Sequence, residues 1–194
     1  MNRVASEFLT VMARYWQVMV MTAVLAISSV RAADAALDWK PVEPARNGFS
    51  QELAMLDQER EEYANHLAGH AVAILRKDRN RIETARHLMT LALNLSPRNK
   101  RAVVANFQLA KDILPEAVPG ELAAASLSRL LLTRGRLLAA QDGRENKNLA
   151  RWFIETAAEL DPKNEEAVYL REMERLDHGP VDWKILTDPS ATTD

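Results

Sequence analysis

The chain has 194 residues, 47% apolar and 27% charged, with a net charge of −2 and no cysteine. That length accommodates one domain with flanking arms, and the apolar fraction suffices for a buried core. The near-neutral charge excludes the strongly basic surface of a typical nucleic-acid binder, and the missing thiols exclude disulfides and thiolate metal sites.

The chain opens with Arg3 and Arg14, followed by an apolar run from Val18 to Val30 broken only by Thr22, Ser28 and Ser29. Val30-Arg31-Ala32 then offers small or tolerated residues at a signal-peptidase site. A charged start, an apolar centre and a small-residue end read as a secretory signal over residues 1–32. Two alternatives remain at this point. One is an uncleaved membrane anchor over residues 8–30, long enough to span a bilayer with Arg14 near one edge. The other is a buried amphipathic helix. Cleavage after Ala32 would remove Arg3, Glu7, Arg14 and Arg31 and leave a more acidic, exported domain, periplasmic or extracellular.

Residues 33–49, with Pro41, Pro44 and Gly48, read as an extended arm. Residues 50–178 carry the helical pattern. Ser50 is the expected N-cap of a first helix with Leu53, Leu56, Tyr63, Leu67, His70 and Ile74 on one side. It fades in the polar turn Arg76 to Asn80. Asn80 followed by Glu83 resembles a capping box, opening a second helix that points Ile82, Ala85, Leu88, Met89, Ala92 and Leu95 inward. Pro97 stops it, because the residue before a proline is pushed out of the α region. Asn99 caps a third helix through about Asp112. Ile113 to Gly120, with Pro115 and Pro119, is a break. A fourth helix runs from Glu121 to about Ala140. Asn146 is the expected cap of a fifth, which ends before Pro162. Asn164 caps a sixth that fades near Asp177, and residues 179–194 read as an extended tail. Short polar turns between helices imply antiparallel hairpins.

One segment of this pattern occurs twice. Ala85, Ala92, Leu95, Pro97, Asn99, Ala102 and Val103 recur, 65 residues later, as Ala150, Ala157, Leu160, Pro162, Asn164, Ala167 and Val168. A repeated helix-turn-helix joint points to stacked helical hairpins. The small residues twelve and five positions before each proline, with Gly69 and Gly135 as candidates for a first-helix glycine, make the chain resemble the tetratricopeptide repeat family over about residues 60 to 177. The resemblance departs at the first helices: the glycine-to-proline spacing is longer than the family's, and its tryptophan and tyrosine are not in register. It implies an all-α fold of antiparallel hairpins stacked as a short TPR-like solenoid with a concave groove that binds proteins or peptides. In that family, basic and polar residues of first helices grip carboxylates; Asn65, Arg76, Arg129 and Arg136 are the candidates here, and none is fixed by a motif.

Other constellations carry less. His66 and His70 have the spacing of a helical zinc pair, but Leu67 stands where a metalloprotease needs an acid. Phosphate-loop, nucleophile-elbow and dinucleotide motifs are missing, so neither catalytic residues nor a cofactor are expected. Phe107, Trp152 and Phe153 read as core. Trp39 and Trp183 sit in similar tetrads, Leu37-Asp38-Trp39-Lys40 and Val181-Asp182-Trp183-Lys184, just outside the helical region; they are expected to clamp the arms onto it, the alternative being insertion into a partner. The functional expectation is a non-enzymatic interaction module or scaffold for a protein or peptide partner. A membrane-tethered structural domain and a metal protein using His66 and His70 are the alternatives. No nucleic-acid partner is expected, and membrane contact would be confined to residues 8–30 if these are uncleaved.

Overall fold

The structure is a computed structural model that describes residues 37–45, 49–50, 52–117 and 122–187. The signal or anchor expected over residues 1–32 lies outside them. The described residues form six α-helices without strands: α1 (Asp57–Lys77), α2 (Ile82–Leu95), α3 (Lys100–Ala110), α4 (Ala124–Ala139), α5 (Arg144–Leu160) and α6 (Glu165–His178). Short 3-10 turns cover Arg79–Arg81 and Trp183–Leu186. Among the described residues, no helix is long and apolar enough to cross a membrane.

The repeated segment is a repeated structural joint. Ser96 and Asp161 leave their helices with nearly the same extended backbone, φ −141° and −135°. Each donates its N–H to the carbonyl four residues back, on Ala92 and Ala157 respectively. Asn99 and Asn164 then cap the following helices, accepting from Ala102 and Ala167 N–H at 2.9 and 3.2 Å. These caps satisfy N–H groups that a helix start otherwise leaves without an intrahelical partner. Ala85, Ala92, Ala102, Ala150, Ala157 and Ala167 are all buried.

Hairpins α1/α2 and α4/α5 are the closest-packed helix pairs. In the first half α3 lies mainly against α1, whereas in the second α6 lies mainly against α5. Gly135 shows how tight the α4/α5 crossing is. A Cβ there would lie 3.1 Å from Ile154 Cγ1 and 3.2 Å from the Ala150 carbonyl. Gly135→Val is therefore expected to destabilise the fold by about 1–3 kcal/mol through overpacking. Urea unfolding followed by circular dichroism measures this, and an unchanged midpoint would show that the helices can move apart freely.

The halves meet where α2 contacts α5 and where Tyr63 of α1 packs on Phe153 of α5, ring centroids 5.2 Å apart. Burial, with Glu59 adding to it, pushes the Tyr63 hydroxyl above its ordinary pKa. Arg134 of α4 grips Glu59 of α1 through two nitrogens, at 2.6 and 2.9 Å. Buried Glu155 is paired with Arg175 at 2.6 Å, fixing α6 to α5.

Several helix starts differ from expectation, two of them because a distant residue engages the expected capping side chain. Helix α1 begins at Asp57, not near Ser50, because the Ser50 hydroxyl bonds Glu145 at 2.7 Å and Arg60 holds the Ser50 carbonyl at 2.7 Å. Leu56 is therefore the N-cap and is 77% exposed rather than inward. Asp78, not Asn80, caps the next turn, accepting from Asn80 N–H at 3.0 Å. Asn146 lies inside α5, and its side chain instead accepts from Ala54 N–H at 2.8 Å. The α5 cap is Gly143, whose φ of +101° suits glycine. Helix α4 starts at Ala124, with Ala123 as its N-cap in an extended conformation. Phe107, expected in the core, is 63% exposed, whereas Trp152 and Phe153 are buried.

Both arms dock on the helices through buried or half-buried asparagines. Asn106 of α3 accepts from Trp39 Nε1 at 3.0 Å and from Val42 N–H at 3.1 Å, and donates to the Val42 carbonyl. Asn94 of α2 accepts from Ala45 N–H at 3.1 Å and donates to the Leu186 carbonyl at 2.9 Å. One buried side chain thus ties both arms to α2. Trp183 stacks on His87, with ring centroids 4.1 Å apart and planes 4° apart. The paired tryptophans are clamps on the same chain.

Candidate functional site

The first and third helices of each half frame a groove. Groove A lies between α1 and α3 and encloses about 510 Å³. Its floor and walls are Gly69, Val72 and Ala73 of α1 and Val104 and Ala105 of α3, so it is mostly apolar. Asn65, Lys100, Arg101 and Gln108 add polar groups, and Pro115, Glu116 and Ala117 close one side. The small residues Gly69, Ala73 and Ala105 leave room for a ligand backbone to come close. Asn65 to Ala73 cover about 12 Å of helix at 1.5 Å per residue, the length of three to four extended residues.

Asn65 and Asn99 connect this groove to the repeated joint. Asn99 Nδ2 donates to Asn65 Oδ1 at 2.9 Å and to Glu61 Oε1 at 2.8 Å, and Ser96 Oγ bonds the other Glu61 oxygen. The cap of α3 is therefore also the brace that sets its distance from α1. The second half has the same device with a different acceptor: Asn164 Nδ2 donates to Ser128 Oγ at 3.1 Å, and Ser128 in turn donates to the Ala157 carbonyl.

Groove B, between α4 and α6, encloses about 500 Å³ and is lined by Ala125, Arg129, Leu132, Thr133, Asn164 and Glu166, with Asp161 at its edge. It is more polar than groove A, and an Arg136–Glu166 ion pair at 2.5 Å bridges its two helices. Arg101 occupies the position equivalent to Glu166 in the repeat, so the same bridge is not available in groove A.

The four candidate binding residues thus divide between the halves. Asn65 lines groove A, and Arg76 donates to the Pro115 carbonyl at 2.9 Å, holding the wall of that groove. Arg129 lines groove B, where its Nε donates to the Ala125 carbonyl at 3.2 Å, and Arg136 forms the bridge across α4 and α6. They do not converge on one ligand position. Lys100, Arg101, Val104 and Gln108 were not anticipated as groove residues. Their signal is the spacing of positions 101, 104 and 108, one face of a helix, beside the buried stripe of Ala102, Ala105 and Leu109. His66 and His70 lie together on α1, and no cluster of three or more His, Asp or Glu able to hold a metal occurs among the described residues.

No family model matches this chain, and neither a curated protein nor a solved structure matches it.

Proposed function

We propose that the chain is a non-enzymatic interaction module, a scaffold of an exported TPR-like protein that receives a peptide or protein segment in groove A. The single observation that carries this reading is the open, mostly apolar groove between α1 and α3, with its floor of small residues and its polar rim. Lys100 and Arg101 stand in the first turn of α3, where the helix dipole is positive, and together they favour an acidic group on the bound segment. Groove B, bridged by Arg136 and Glu166, serves as the braced counterpart. The hairpins with matched joints support a short TPR-like stack, and the apolar run near the start of the sequence supports export or tethering.

The reading is tested by placing a photo-crosslinking amino acid at Val104 in the full-length protein in its native host. A discrete protein adduct is expected from position 104 and not from Thr133 in groove B. Lys100→Glu should reduce the adduct at least about fivefold if an acidic group is recognised, by replacing an attraction with a repulsion. Equal, diffuse labelling from both positions would contradict the assignment of groove A.

A further inference from the structure

Among the described helices, two stand at the ends of the packing order, α3 on the first hairpin, with the N-terminal arm docked on it through Asn106, and α6 on the second. Stacked-hairpin proteins ordinarily finish on a helix with a polar outer face, since the last surface has no neighbour to cover it. Both end helices here depart from this by exposing large apolar residues among the polar ones. On α3, Val103 is 45% and Phe107 63% exposed, one turn apart. On α6, Tyr169 is 63% and Leu176 78% exposed, with Met173 between them. These stripes follow helical spacing, so each is one continuous apolar face.

The two faces carry opposite charge. Helix α3 and its C-cap bring Lys100, Arg101 and Lys111 without an acidic residue, and the Lys111 ammonium lies 5.9 Å from the Phe107 ring. Helix α6 brings Glu165, Glu166, Glu172, Glu174 and Asp177 against Arg171 and Arg175; within the chain Glu172 pairs with Arg171 and Arg175, Glu174 with Arg151 and Glu166 with Arg136. Two copies meeting α3 to α3 would set lysine against lysine, and α6 to α6 glutamate against glutamate. Only α3 against α6 matches both apolar stripe and charge.

We infer that the occupant of each face is a second copy of this chain: α3 of one molecule packs on α6 of the next, with Phe107 against the Tyr169–Leu176 stripe and Lys100 and Lys111 toward Glu165 and Glu172. The surfaces that meet are different, so the contact is heterologous and propagates into open chains or closes into a ring. Lys100 is shared with groove A, but Phe107, Lys111 and Tyr169 line neither groove, so variants at these three positions separate this assembly from partner binding in groove A.

Sedimentation velocity of the full chain, over about 1 to 100 µM, tests it by mass action. The wild type is expected to gain mass with concentration. Phe107→Asp and Tyr169→Asp should each weaken association at least about tenfold, as loss of a central aromatic contact does. An equimolar mixture of the two variants should form a dimer and nothing larger, because only one intact α3 face then meets one intact α6 face. Circular dichroism confirms that each variant is folded; should either not be, Lys111→Glu with Glu165→Lys carries the same mixing test. A wild type that stays monomeric, a mixture that stays monomeric, or an assembly that both variants leave unchanged would overturn the inference. The last outcome would place the contact elsewhere, including the apolar residues 8–30.

Discussion

Phe153→Ala is expected to destabilise the protein by about 3–5 kcal/mol, the cost of emptying a large buried aromatic site. Phe153 is fully buried in α5, beside the Gly135 crossing, and its ring packs on Tyr63 of α1. It therefore contributes both to the closeness of α4 and α5 and to the contact between halves. Such a loss is a large share of a typical domain's net stability. Urea denaturation followed by circular dichroism should show the midpoint falling steeply, with tryptophan fluorescence reporting Trp152 one residue away. A cost below about 1 kcal/mol would mean that the neighbourhood collapses into the space or that the halves are held by other contacts.

Asn99→Ala is the second large effect, at about 2–4 kcal/mol. Loss of the cap on α3 contributes about 1 kcal/mol. The remainder comes from leaving polar groups of Glu61 and Asn65 without their partner in a half-buried place. Asn164→Ala removes the equivalent cap but is braced only to Ser128, which keeps its own bond to the Ala157 carbonyl. It is expected to cost about 1–2 kcal/mol. Parallel denaturation of the two variants tests the ranking, and a larger loss for Asn164→Ala would contradict it.

The parts of the fold that could be read from the sequence are those governed by neighbouring residues. Pro97 and Pro162 end helices for local steric reasons, and Asn99 and Asn164 cap the next ones by reaching three residues ahead. The recurring alanines are buried at close helix contacts, as their small size suggests. Two of the misread caps have the same local chemistry but a distant competitor: Glu145 takes Ser50, and Ala54 N–H takes the side chain of Asn146, whereas Asn80 gives way to Asp78 two residues before it. Phe107 shows a different limit. Its apolar character is plain, but whether a neighbour covers it depends on where the next hairpin packs, and here the chain leaves α3 at an end. The grooves lie between helices far apart in the sequence, so no local pattern marks them. Asn65 lies in one, Arg129 in the other, while Arg76 and Arg136 hold structure around them. Asn94 and Asn106, lone polar residues among apolar ones, could not be assigned to arm docking without the arms in place.

The central claim is that one helix-turn-helix joint has been used twice, each time with an asparagine that caps a helix and braces it to the first helix of its hairpin. Amide hydrogen exchange at Ala102 and Ala167 tests this most directly, because first-turn amides exchange quickly unless a cap protects them. Both amides are expected to be protected in the wild type, Asn99→Ala should expose Ala102 alone, and Asn164→Ala should expose Ala167 alone. Rapid exchange at either amide in the wild type, or protection indifferent to its asparagine, would contradict the claim.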